Sequence, residues 1–296
     1  MTVDLVDALI RTRALEIAPP GQMFWYTSGT VGPYYINTHF LCGGPVVAAE
    51  LLACIDLEKE TPARLPGQLR RLFRRKYDTD TTYRGVIDLL VETIRASDVA
   101  VPDCVSGGER RDWFFSTAVA LELDRPHLLL YKDRGMVLDA DGAGGSVGGL
   151  TTVHVADLVT EASSYTGAWI PAVQACSARM ALSVNVVDRG QGGIETIQRA
   201  GVPAQALIRI DAALFGRLLD QRAIQPEQHR LLTAYLVDPR GAMKSFLEEH
   251  PGFLREALSS DDPRTRERAS RLIAENPYDL HPELLQGVAP EPGRNP

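Results

Sequence analysis

Apolar and polar positions follow two rhythms along this chain, one helical and one of short strands. Leu5, Ala8, Leu9 and Leu15 recur at helical spacing behind Asp4, a residue suited to an N-cap, and predict an amphipathic helix over residues 4–15. The next stretch, MFWYTSGTVGPYYINTHFLCGG, is aromatic and β-branched and is broken at Ser28-Gly29 and Gly32-Pro33, so it reads as two short strands around a turn. Residues 46–55 read as a helix. Residues 56–80 are charged and interrupted by Pro62 and Pro66, which suggests an insertion between elements of a domain. Residues 82–96 return to helical periodicity through Val86, Leu89, Leu90, Thr93 and Ile94.

From there short apolar strands alternate with helices. Strands are expected over 99–105, 127–131, 152–159 and 181–187, and helices over 113–123 and 168–180. The Gly-rich run VLDADGAGGSVGG, residues 137–149, reads as a mobile loop. Such a cycle predicts an α/β fold: a central parallel sheet with helices on both faces, and any ligand at the carboxyl ends of the strands. The site should then lie on the loops after Val105, Tyr131, Val155 and Val187. Beyond about residue 216 the pattern is helical only, with helices expected over 228–236, 242–249 and 263–275, the last behind Asp261 and Asp262. The expected organisation is a domain of residues 1–215 carrying the 56–80 insertion, an α-helical extension over 216–286, and a disordered Pro/Gly-rich tail over 287–296.

Composition narrows the function classes. With 45% hydrophobic and 23% charged residues the chain is of globular type, and it has no apolar run near the ~20 residues of a membrane span. The first residues mix Asp with apolar side chains and lack a basic head before an apolar stretch, so a cytoplasmic protein is expected. A net charge of −7 argues against general nucleic-acid affinity. One basic run departs from it: Arg70, Arg71, Arg74, Arg75 and Lys76 form either a phosphate-binding stripe or a solvated face beside an acidic neighbour. Cys42, Cys54, Cys104 and Cys176 have no metal-ligand spacing and read as buried thiols, so no protein-held metal is expected.

Three segments, in order, resemble orotate phosphoribosyltransferase, and together they span roughly residues 4–210. The first is Phe24-Trp25-Tyr26-Thr27-Ser28-Gly29 with Gly32-Pro33-Tyr34-Tyr35, similar to that family's aromatic hairpin. The second is the strand and loop around Val155 to Ser164, and the third is Val187-Asp188-Arg189-Gly190-Gln191-Gly192-Gly193, close to the family's Asp-Arg-x-x-Gly-Gly turn. The resemblance implies a type I phosphoribosyltransferase fold with an N-terminal hairpin hood, to which the helical pattern beyond residue 216 adds the C-terminal extension. It implies a homodimer that binds phosphoribosyl pyrophosphate and a pyrimidine-type base, with Mg2+ if the chain is active. The physics suits such a ligand: successive backbone N–H groups at a helix N-terminus receive a phosphate, glycine permits close approach, and hydroxyls add donors.

Carried over residue by residue, the resemblance assigns Asp157, Thr160, Ser163 and Ser164 to the phosphoribosyl group and Arg110 and Arg111 to the pyrophosphate side. It assigns Tyr34, Tyr35 and Arg189 to the base, and Lys132 and Arg134, at the start of the Gly-rich loop, to catalysis. Each has a plainer reading: Asp157 as a turn residue, the three hydroxyls as helix caps, the tyrosines as packing, Lys132 as surface, and Gly192-Gly193 as backbone geometry alone. Glu109 and Asp112 could pair with Arg110 and Arg111.

The sequence also departs from the family's pattern. Ala156 stands where the family has the first of two acidic residues, and Ala162 replaces a glycine. Glu161 brings a carboxylate toward the phosphate, where two like charges about 4 Å apart cost on the order of a few kcal/mol unless the side chain turns outward. The Gly-rich loop carries Asp139 and Asp141 in place of the family's lysines and histidine, and Thr27 and Thr30 replace a lysine and an arginine. Three function classes follow: a phosphoribosyltransferase, a paralogue that binds a nucleotide or phosphate without turnover, and a dimeric interaction platform using the helical extension.

Overall fold

The structure is a computed structural model describing residues 3–59, 61, 63–99, 101–139 and 146–288. In chain order, α1 (Leu5–Arg11) leads to four short strands, β1 (Leu15–Ile17), β2 (Phe24–Trp25), β3 (Val31–Gly32) and β4 (Tyr34–Ile36). Three helices follow: α2 (Gly44–Glu58), α3 (Leu65–Thr79) and α4 (Thr81–Arg95). Then come β5 (Cys104–Gly108), α5 (Trp113–Glu122), β6 (His127–Leu130), β7 (Met136–Asp139), β8 (Thr151–Val159), α6 (Ile170–Ala175), β9 (Arg179–Asp188), α7 (Gly193–Arg199) and β10 (Ala204–Arg209). The chain ends in α8 (Ala212–Asp220), α9 (Pro226–Val237), α10 (Pro239–Glu249), α11 (Pro251–Leu258), α12 (Pro263–Glu275) and α13 (Pro282–Val288).

One six-stranded sheet, in the order β10-β9-β8-β5-β6-β7, is parallel except for β7 at its edge. This is the expected α/β architecture. Alternation along the strands divides the core. Leu128, Leu130, Ala156 and Met180 share a cluster with Ile170 and Val173 of α6 and Ile197 of α7. The intervening positions face the other way, where Gly107 approaches Ser116 of α5. Burying a Leu or Val side chain contributes about 1.5–3 kcal/mol, so β6, with all three leucines at 0% exposure, is held from both faces.

Several boundaries differ from the sequence reading. Ser106-Gly107-Gly108, expected to open a loop, belongs to β5, because α5 and Trp169 lie too close for any side chain there: a Cβ on Gly107 would lie 2.0 Å from Ser116 Oγ, and one on Gly108 2.5 Å from Trp169. Residues 137–139 of the expected Gly-rich loop are strand, paired antiparallel with β6, while 140–145 lie outside the described residues. The helix expected over 168–180 begins earlier, near Ser163, passes through a π-turn at Tyr165–Trp169 and stops at Ala175, so Met180 is in β9. Residues 65–79 form a well-buried helix, with Leu65, Leu69 and Phe73 all at 0% exposure. Its basic face is paired: Arg70 with Asp139, Arg74 with Glu122 and Lys76 with Asp80. Cys54 is exposed on α2 and Cys176 half-buried, so only Cys42 and Cys104 meet the expectation of buried thiols.

The chain divides into two compact units, Met1–Leu15 with Asn37–Ile210, and Glu16–Ile36 with Asp211–Pro296. The first holds the sheet. In the second, the hairpin β2–β3 and the C-terminal helices share a core: Ala18, Met23 and Val31 pack with Met243, Phe246, Leu247, Leu254 and Leu272. The Tyr278 hydroxyl accepts the Val31 N–H (2.9 Å) and donates to the Val31 carbonyl (3.2 Å). The expected Asp262 cap is present, and α11 and α13 add to the helices foreseen; residues 289–296 of the expected tail lie outside the described residues. No helix among the described residues is long and apolar enough to cross a membrane.

Candidate functional site

At the carboxyl edge of the sheet, β5 and β8 separate. Their pairing ends at Ser106↔His154, whereas β5 stays paired with β6 as far as Gly108↔Leu130. The gap opens into a cavity of about 330 Å³, bounded by residues 109–112, by Lys132 and by the chain from Ala156 to Tyr165, with Trp169 behind it.

The turn after β8 carries Thr160, Ser163 and Ser164, all three on the cavity wall. None of these hydroxyls makes a side-chain hydrogen bond among the described residues, so they do not serve as helix caps. Ala162 stands between them at φ 61°, the left-handed region that costs an L-residue about 1–2 kcal/mol. The turn therefore keeps a glycine-like path without glycine, and its buried methyl joins the cluster of Val159 and Trp169. Glu161 is exposed and does not line the cavity, which removes the repulsion anticipated from its charge. The Asp188–Gly193 turn packs beside it. A Cβ on Gly193 would stand 2.3 Å from the Thr160 carbonyl oxygen, and Gly192 is left-handed at φ 81°, so this pair serves backbone geometry.

Two carboxyls lie at the cavity floor. Asp157 is buried, as is Asp112, whose Oδ2 accepts the Gly108 N–H (3.0 Å) and whose Oδ1 accepts the Asp157 N–H (3.0 Å). Burial and then the nearby Asp157 charge push the Asp112 carboxyl well above the usual range; burial also raises Asp157, against the pull of the Arg111 guanidinium. Behind them His154 is fully buried and held neutral, its pKa lowered to about 3 by burial. Ser106 Oγ lies 3.1 Å from His154 Nδ1, and Tyr165 packs edge-on against the ring while its hydroxyl meets Ser183 and Asn185 at 2.8 Å.

Of the cations, Lys132 and Arg111 line the cavity and are exposed, and neither side chain has an ion pair among the described residues. Arg110 also lines it but is paired with Asp56 of α2, not with the neighbouring acids. Glu109 is likewise committed, to Lys59 (3.7 Å) and to the Lys132 N–H (3.1 Å). Arg134 donates to the Gly167 carbonyl (2.8 Å) and does not line the cavity, nor does half-buried Arg189. Arg110 and Arg111 push the pKa of buried His39 down to about 3, after burial itself.

Tyr34 and Tyr35 belong to the second unit. Tyr34 is buried there against Phe215 and Tyr235, and Tyr35 packs on Phe24 and Tyr26, which is the packing role weighed for them. The structure thus gathers Asp157, Thr160, Ser163, Ser164, Lys132, Arg110 and Arg111 around one cavity, and adds Asp112 and Trp169, which sequence reasoning missed. Asp112 had looked like a partner for the neighbouring arginines; only the divergence of two strands reveals its use.

No family model and no curated protein sequence matches this chain. Among solved structures it is similar to UMP synthase of Leishmania donovani, with TM-score 0.55 and 17% identity over 79% of this chain; that likeness spans only 41% of the Leishmania chain. It is also similar to orotate phosphoribosyltransferase of Aeropyrum pernix (TM-score 0.50, 19% identity, 72% of this chain and 98% of that one). The same enzyme of Francisella tularensis aligns with TM-score 0.51 and 13% identity over 79% of this chain and 97% of that one. At such identities the likeness establishes the fold, which is that of the type I phosphoribosyltransferases.

Proposed function

We propose that this chain is a phosphoribosyltransferase-like protein whose first unit takes phosphoribosyl pyrophosphate or a related sugar phosphate. The observation that carries this is the set of Thr160, Ser163 and Ser164, residues whose hydroxyls have no side-chain hydrogen bond among the described residues, at the start of a helix and lining one cavity with the cations of Lys132 and Arg111. The acceptor on this reading is a pyrimidine-type base, although none of Tyr34, Tyr35 and Arg189 lines the cavity.

Among the described residues no group of three His, Cys, Asp or Glu could hold a metal by itself, so on this reading magnesium would come to the cavity with the phosphates of the ligand. What this chain supplies to transfer is positioning by the 160–164 turn and charge neutralisation by Lys132 and Arg111.

One observation favours a second reading, binding without turnover: Arg110 and Arg134, two of the four assigned loop cations, are already engaged, with Asp56 and with the Gly167 carbonyl. Calorimetric titration with phosphoribosyl pyrophosphate tests the shared premise, and absence of binding refutes both readings. Orotate consumption by the same preparation separates them. A homodimer is expected on the enzyme reading, and sedimentation checks it.

A further inference from the structure

Asp112 sits where two strands of the sheet stop pairing, and its carboxyl takes the place of the missing ladder. One oxygen accepts from Gly108 at the end of β5, the other from Asp157 on β8, both at 3.0 Å. The next residue, Trp113, donates Nε1–H to the Gly107 carbonyl (2.9 Å), so consecutive side chains hold the two polar groups of the Gly107–Gly108 peptide at the end of β5. We infer that Asp112 is the positioning residue of this cavity: it sets the distance between the loop that carries Arg111 and the turn of residues 160–164. Only the ligand readout below rests on the proposed function; the positioning role does not.

Three titratable groups face Asp112, namely Asp157 and His154 on β8 and Tyr165 in the following helical segment, while the Arg111 guanidinium acts on Asp157. His154 Nε2 is fully buried, has no hydrogen-bond partner among the described residues and stands 3.8 Å from Asp112 Oδ2. Burial holds the ring neutral, so it offers no positive charge to offset a second carboxylate. The acid pair is stable as a monoanion sharing one proton, which is also what the upward displacement of both carboxyls describes. Loss of that proton sets two carboxylates side by side in a buried gap, and both then oppose any anion held by Arg111 and Lys132. Asparagine at 112 is the uncharged isostere: it keeps one acceptor and cannot titrate. Alanine removes the bridge altogether.

The test uses the full chain, its Asp112→Asn and Asp112→Ala forms, and sulfate as an anion whose charge does not vary across about pH 5–9. In the native protein sulfate affinity should fall as pH rises through the titration of the pair, and in Asp112→Asn that fall should flatten. In Asp112→Ala, sulfate binding should weaken about tenfold, and the amides of Gly108 and Asp157 should exchange with solvent about tenfold faster while those of β9 keep their protection. Unchanged exchange at both amides in Asp112→Ala overturns the inference, as does a native pH slope in Asp112→Asn. If no anion binds at any pH but both amides exchange faster in Asp112→Ala, the positioning role stands and the sugar-phosphate reading of the cavity falls.

Discussion

At the scale of single residues, the site is shaped by places where one atom more would not fit. Gly193 is the clearest, since its missing Cβ leaves room for the Thr160 carbonyl. Gly193→Ala should cost about 1–3 kcal/mol in urea unfolding and disturb the Thr160 turn along with it. Glu161 behaves differently because its carboxylate is exposed and off the cavity wall. Glu161→Gln should change sulfate affinity by less than about threefold at physiological salt, measured by calorimetry. His127 adds a pH term. Burial, then His154, holds its pKa at about 3, against 6.5 for an ordinary histidine. The unfolded chain therefore binds a proton that the folded chain refuses between these values, so stability is lost as pH falls from about 6.5 toward 3. Asp112 and Asp157, raised when folded, act in the opposite sense over part of that range. His127→Gln should lose less stability on acidification than the native protein, as read from urea midpoints across pH.

At the scale of elements, α3 shows how much core a charged stretch can hold. Its segment was read as an insertion from its charge and two prolines, and Phe73 within it lies at 0% exposure against Phe114 and Tyr83. Phe73→Ala should therefore destabilise by about 3–5 kcal/mol. Arg74→Ala, which removes a partly exposed ion pair with Glu122, should cost less than about 1 kcal/mol; thermal unfolding of the two variants side by side measures the contrast. The buried face was legible as Leu65, Leu69 and Phe73 at helical spacing, but the density of charge and the two prolines hid it. The strand β10 went unread for another reason. Only Ala204 of its six residues is buried, because it is the outer strand of the sheet, so it lacks the apolar run that announced β6 and β9. β7, the opposite edge, was missed because Val137, Leu138 and Asp139 were counted with the Gly-rich run that follows them.

At the scale of the molecule, the hairpin segment depends on residues far away in sequence. Trp25 stacks on Phe253 at 5.4 Å, and Arg268 donates to the Trp25 carbonyl. A chain cut after Ile210 should expose Ala18, Met23 and Val31, most of whose cluster comes later in the chain, and should bind an apolar dye that the full chain does not. Full solubility without dye binding in the truncated chain would contradict a shared core.

What the sequence by itself determined is the sheet-and-helix cycle and the position of the turn after β8 that lines the cavity, because apolar periodicity and glycine-bearing turns are local signals that each residue carries with it. The Asp157–Ser164 stretch and the Asp188–Gly193 turn were legible for that reason. Which side chains meet across the gap was decided by tertiary structure alone. Asp112 joins the site because β5 and β8 diverge, Arg110 is drawn toward α2, and Tyr34 lies in the core of the second unit. Those pairings depend on distances between segments remote in sequence, and no local pattern of residues encodes such a distance.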